Sequence, residues 1–286
     1  MQRNSKGFIN SDGMESTSPE ARLMWLRETE QLNYTAIKVR ILTTQITQLQ
    51  HDDTGKALAI HKYVKSLPFG CVADFTRKKA TDIIKLGYGD CHTKGLLFVA
   101  LLRAAKIPAR LRFVTLPTRF LDGLIDTGTQ TMVHAIGEVY VGDAWQQTDA
   151  YVADAPYEAA ARALLRVEGR ILGYGLHAMG NKDWTGKANA HAQSTPADPE
   201  SMPMIDWGFT HDPAHFYANE NHEALRHGFT QRVKWTLGAG IVNRKVQLIR
   251  EREQDRASGN GGNSGNSGYS RSGDSDFTDY SSLNPQ

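Results

Sequence analysis

"GYGDCHTKGLLFVALLRAAKIPARL", residues 87–111, sets one cysteine between a glycine-rich turn and a long apolar run that ends at Pro108. Leu96, Leu97, Val99, Ala100 and Leu101 recur at helical spacing, so residues 91–106 are expected to form a helix with those side chains turned inward. Cys91 then heads that helix. A free cysteine is more often an inert packed side chain than a reactive one. The start of a helix changes that expectation, because its unpaired N–H groups and positive dipole end stabilise a thiolate. Gly87 and Gly89 keep the approach to the sulfur narrow-sided and free to take backbone angles that other residues avoid.

Outward from this stretch the chain reads as helices first and strands second. Ser18, Pro19 and Glu20 open a helix in "STSPEARLMWLRETEQL", and a second follows in "TAIKVRILTTQITQLQ". "TGKALAIHKYVKSLPFG" places Ala57, Ile60 and Val64 on one face and stops at Pro68-Phe69-Gly70, while "KKATDIIKLG" is a short helix ended by Gly87. After Pro108, "IPARLRFVTL" has strand character, and "TMVHAIGEVYVGDAWQQTDAYV" reads as two strands about a Gly142-Asp143 turn.

The hairpin predicts a geometry. If Val141 faces Ala144, paired positions sum to 285 and Ile136 opposes position 149. His134 and Asp149 then become diagonal neighbours on one face, roughly 7–8 Å apart at the backbone and within side-chain reach. Val133, Ala135, Val139 and Val141 form the apolar strip of the opposite face. A nucleophilic thiol needs a proton acceptor, and that acceptor needs an orienting group. His134 and Asp149 are the candidates, with the Cys91 backbone N–H as one oxyanion donor and Tyr88 or a side chain near 70–76 as a guess for the second.

The stretch from the end of "YVKSLPFG" to Tyr151 resembles the transglutaminase-like superfamily. The match rests on Gly-Asp-Cys at 89–91, Ala-Leu-Leu-Arg at 100–103, Ile-Pro-Ala-Arg at 107–110, His-Ala at 134–135 and Trp145 ahead of Asp149. Ile136 stands where the family commonly has an aromatic residue. The resemblance implies an α+β, papain-like core with N-terminal helices packed on an antiparallel sheet, here with a C-terminal helical extension. It also implies Cys91 as nucleophile, His134 as base and acid, and Asp149 as the group that orients the imidazole.

The expected organisation is a helical part over 1–70, a catalytic core over 71–155, an extension over 156–256 and a Gly/Ser/Asn-rich flexible tail over 257–286. Within the extension, 156–172 is expected as a helix, 180–200 as a polar loop, and the segment from His222 to Glu253 as a helix interrupted at Gly238-Ala239-Gly240. His92 is expected to be exposed or to stand behind the site. Pro213 inside the His211/His215 pair argues against a helical metal site, and Trp207, Phe209, Phe216, Tyr217 and Trp235 could line either a cleft or the core.

The function expected is acyl transfer on an amide through a thioester, most simply hydrolysis as by a protease or amidase. An amine acceptor, as in a transglutaminase or amide-forming enzyme, is the alternative, and a non-catalytic scaffold on the same fold is the second. The partner is a peptide or protein as amide donor, with a small amine as the optional acceptor. With 33 basic against 31 acidic residues the net charge of +2 directs the chain toward neither nucleic acid nor membrane. No cofactor or metal is implied by any glycine-rich phosphate loop or calcium loop. Two cysteines, no apolar leader and no membrane-length apolar stretch suggest a reducing, cytoplasmic setting.

Overall fold

The structure is a computed structural model that describes residues 19–218 and 238–252. Ser18, His222, His227, Trp235 and the expected tail lie outside the described residues.

Helix α1 (Pro19–Met24) leads into α2 (Ile37–Thr47) and α3 (Asp53–Ser66). The Asp52 carboxylate caps α3 by accepting the Gly55 N–H at 2.6 Å. Helix α4 (Ala80–Leu86) ends at Gly87, whose φ of 70° is the left-handed conformation that closes a helix without a side-chain penalty. Helix α5 (Cys91–Ala104) follows after four residues, 87–90, and is capped by Asp90. Every residue from His92 to Arg103 is buried. The helix is therefore the axis of the core rather than an amphipathic wall.

Strands β1 (Ala109–Pro117), β2 (Thr131–Val141), β3 (Ala144–Thr148) and β6 (Ile205–Thr210) form an antiparallel sheet in the order β3-β2-β1-β6. Val141 pairs with Ala144 and Gly137 with Thr148, the register expected from the turn. Gly142 and Asp143 have φ of 59° and 60°, the paired positive angles of a tight hairpin turn that matches strand twist.

Phe113, Ala135 and Val139 pack against α5, which α2, α3 and α4 cover from behind. At Gly137 helix and sheet touch so closely that an added Cβ would sit 2.6 Å from the Phe98 ring. The other sheet face, with Val114, Leu116 and Ile136, is covered by α6 (Ala155–Val167) through Tyr157, Ala161 and Leu165, and by residues 238–252 through Val242, Val246 and Ile249. Both faces of β2 are thus dry, and the polar face expected from alternation is buried.

The sequence reading missed two features. Strands β4 (Leu172–Gly173) and β5 (Leu176–His177) form a small hairpin after α6, and β6 joins the main sheet from within the C-terminal extension. Gly238, Ala239 and Gly240 are themselves helical, the first described residues of a helix that runs to residue 252, and the expected helix before them lies outside the described residues. Helix α7 (Pro213–Ala218) follows β6. No described helix is long and apolar enough to cross a membrane.

Candidate active site

The first turn of α5 is organised by Asp90. Its carboxylate accepts the Thr93 N–H at 3.0 Å, the Thr93 hydroxyl at 2.9 Å and the Val72 N–H at 3.0 Å, and also bonds the His92 N–H. The Lys94 N–H goes to the Asp90 carbonyl at 2.9 Å. Burial pushes the Asp90 carboxyl up, against the pull of these donors. With those N–H groups taken, the Cys91 N–H is left without a partner among the described residues. A half-buried thiol thus carries its own uncommitted backbone donor.

Residues 68–70 run parallel to the turn before α5. Phe69 bridges Gly89, Gly70 N–H donates to the Gly89 carbonyl at 3.0 Å, and Gly89 N–H donates to the Pro68 carbonyl at 3.1 Å. That alignment brings Cys71 beside Cys91. Burial, followed by the charges of Asp90 and Cys91, pushes the Cys71 thiol up to about 12. The candidates for a second oxyanion donor fare differently: the Cys71 N–H is held by Asn243 at 2.7 Å and the Val72 N–H by Asp90, while the Tyr88 ring lies over Gly70.

His134 on β2 is 1% exposed, and its Nε2 lies 3.0 Å from Asp149 Oδ2, one residue past β3. The diagonal arrangement expected from the hairpin is therefore the one observed. The other ring nitrogen, Nδ1, is buried without a conventional hydrogen bond, and Cys91 acts on the ring both by charge and by hydrogen bonding. Burial alone would drive the imidazole toward neutrality. Cys91 and Asp149 together outweigh that and hold it above its ordinary range. In turn His134 and His191 hold the buried Asp149 carboxyl well below the usual carboxylate range, although desolvation opposes them.

Asp149 has further partners that sequence reasoning missed. Its Oδ1 accepts the Ala192 N–H at 2.6 Å, and His191 Nδ1 stands 3.9 Å from Oδ2. The Gln193 amide, with its nitrogen toward the carboxylate, reaches the two oxygens at 2.8 and 2.6 Å. All three residues belong to the polar loop. Nothing in a loop composition of Asn, Ala, His and Gln marks a contact 43 positions from its partner.

His92 is buried rather than exposed. Its Nδ1 meets the Tyr217 hydroxyl at 3.0 Å, its Nε2 the Val133 carbonyl at 3.3 Å, and its ring stacks on Phe75 at 4.4 Å. Burial, with the His134 charge adding to it, lowers its pKa to about 3, so it stays neutral at physiological pH. The aromatic candidates also serve the core: Phe216 stacks on Phe113 at 3.8 Å, and the Trp207 indole donates to Thr115 Oγ1 at 2.8 Å. His211 and His215 lie 5.6 Å apart between ring centroids at the turn into α7.

The comparison with curated proteins found no match. Among solved structures, a candidate cysteine protease from Cytophaga hutchinsonii is 23% identical, with 43% of this chain and 39% of that chain covered and a TM-score of 0.36. A candidate protease from Parabacteroides distasonis is 15% identical, with 45% and 26% covered and a TM-score of 0.31. The chain spans well under half the length of either protein. A family model described as the transglutaminase-like superfamily matches residues 40–150, a span that holds Cys91, His134 and Asp149. Over that core the chain is similar to the transglutaminase-like superfamily.

Proposed function

We propose that the chain is a cysteine acyl-transfer enzyme that hydrolyses an amide bond of a peptide or protein, with Cys91 as nucleophile, His134 as base and acid, and Asp149 as the orienting carboxylate. The observation that carries this reading is the relation of thiol and imidazole. His134 has one nitrogen tied to a buried carboxylate and the other uncommitted, and Cys91 acts on that ring from a helix start. An imidazolium beside a thiol favours the thiolate.

In this mechanism Cys91 Sγ attacks the amide carbonyl, and the oxyanion takes a hydrogen bond from the Cys91 N–H. His134 gives its Nδ1 proton to the departing amine, the C–N bond breaks, and a thioester remains. Water then gives a proton to His134 as it attacks the thioester, and the proton returns to sulfur as the carboxylic acid leaves. Holding the oxyanion in a preorganised site contributes several kcal/mol in such reactions, roughly 3 per donor. Hydrolysis is favoured over amine transfer because water is always available and the sequence shows no amine-binding motif. Both cysteines are free, which fits a reducing compartment such as the cytoplasm.

The test is to incubate the full chain with a panel of peptides and an added primary amine, mapping adducts and products by mass spectrometry. A thioester on Cys91 and an acid product are expected. Amine-coupled product without acid would overturn hydrolysis, and no adduct on Cys91 with any peptide would overturn the enzymatic reading.

A further inference from the structure

The proposed triad leaves unexplained why a chain this long returns from residue 181 to 193 to the end of β3. The segment is fastened there as an extra strand would be. Ala190 bridges Thr148, Ala190 N–H donates to the Gln147 carbonyl at 2.9 Å, and Asp149 N–H donates to the Ala190 carbonyl at 3.2 Å. Asn189 Oδ1 accepts the Gln147 N–H at 2.8 Å, and His177 N–H donates to the Ala192 carbonyl at 2.8 Å. So anchored, the segment aims the Ala192 N–H and the Gln193 amide at one carboxylate.

We infer that Gln193 is a positioning residue of the site: its buried amide fixes the rotation of the Asp149 carboxylate, so that Oδ2 stays on His134 while the carboxylate remains ionised. This rests on the proposed function. Gln193 is 2% exposed and Asp149 is 1% exposed, so water has little access to replace a lost donor. A buried carboxylate with too few donors protonates, and a protonated Asp149 no longer supports a charged imidazole. The donor's neutrality also matters. A lysine or arginine at 193 would satisfy Asp149 equally well, yet its charge would oppose the imidazolium that Asp149 supports. An amide supplies the hydrogen bonds and leaves the full negative charge to act on His134.

A second glutamine separates this role from plain loop anchoring. Gln146 Nε2 donates to the Gly186 carbonyl at 2.7 Å, and its Oε1 accepts the Trp184 indole N–H at 3.2 Å. It holds the same loop and is not among the partners of Asp149. The experiment follows alkylation of Cys91 by iodoacetamide in the full chain, by peptide mass spectrometry, from acidic to neutral pH. Gln193→Ala should move the acidic limb of the profile upward by about one pH unit, which is about tenfold slower alkylation at a fixed acidic pH. Gln146→Ala should leave that limb where the wild type has it. If Gln193→Ala does not fold, Gln193→Leu, which keeps the volume and removes the donor, is held to the same expectation.

A Gln193 profile that superposes on wild type, or an equal shift in Gln146→Ala, would overturn the positioning role while leaving the triad intact. Wild-type Cys91 that alkylates no faster than Cys71 and ignores His134→Ala would overturn the triad and this inference with it.

Discussion

Two buried polar clusters share one face of β2, four residues apart, and each is built on a carboxylate. At Glu138 the partners are two guanidiniums, Arg110 and Arg112, and the Gln147 amide at 2.9 Å. Arg110 is further enclosed by the rings of Phe209, Trp145 and Trp25 at 3.4, 3.9 and 4.9 Å. At Asp149 the partners are two imidazoles, His134 at 3.0 Å and His191 at 3.9 Å, with a backbone N–H and an amide. An arginine keeps its proton at any pH the protein meets, whereas an imidazole can pass one on. Burial and hydrogen bonding are alike in the two clusters. In the proposed mechanism the two clusters part on whether the paired cation can give up a proton to a neighbour: His134 has Cys91 beside it, while Arg110 has aromatic walls.

Substitutions in the two clusters should therefore fail in different ways. The largest effect expected is at His134. His134→Ala should cut turnover roughly 10²–10⁴-fold, the usual contribution of a positioned acid and base, when rates are normalised to folded protein by near-UV circular dichroism. Turnover within tenfold of wild type would place the proton transfer elsewhere. Next comes Glu138→Ala, which takes the carboxylate away from a buried guanidinium and should lower unfolding free energy by about 3–5 kcal/mol in urea titration. The folded fraction should still alkylate at Cys91 at the wild-type rate. A large loss of Cys91 reactivity in that variant would mean the clusters are coupled and the contrast between them is false.

The smallest effect concerns a third buried cation, one turn along α5 from the thiol. Lys94 Nζ donates to the carbonyls of Leu67 and Val152 at 2.7 and 2.9 Å, tying α5 to the end of α3 and to the loop after Asp149. Burial, with Lys65 and Arg250 adding to it and Asp154 opposing, lowers its pKa to about 7. The folded state therefore binds fewer protons at this group than the unfolded chain between about 7 and the ordinary lysine range. Stability from Lys94 should rise with pH across that window. Lys94→Met should flatten the rise, read as the change in urea midpoint between neutral and alkaline buffer. An unchanged slope would show that Lys94 keeps its charge in the fold.

The helix start at Asp90-Cys91, the stop at Gly87 and the hairpin register about Gly142-Asp143 were all legible because each depends on residues within a few positions. The hairpin alone was enough to bring His134 to Asp149. The burial of the His134 face was not legible, since alternation describes a strand with one wet side and β2 has none. Strand β6 was missed for a related reason: Asp206 and Gly208 break the pattern of an isolated strand, and pairing with β1 supplies what the pattern lacks.

By itself the sequence determined the order of the elements, the position of the thiol at a helix terminus and the spacing that pairs imidazole with carboxylate, because turns, caps and alternation are short-range physics. The tertiary structure alone decided how these groups behave. Desolvation pushes the Asp149 carboxyl up while His134 and His191 pull it lower, a loop donor reaches it from 43 positions away, burial keeps His92 neutral while Cys91 and Asp149 raise His134, and the Cys91 N–H has no partner among the described residues. Protonation depends on desolvation and on every charge and donor nearby, and those are assembled only when distant segments pack together.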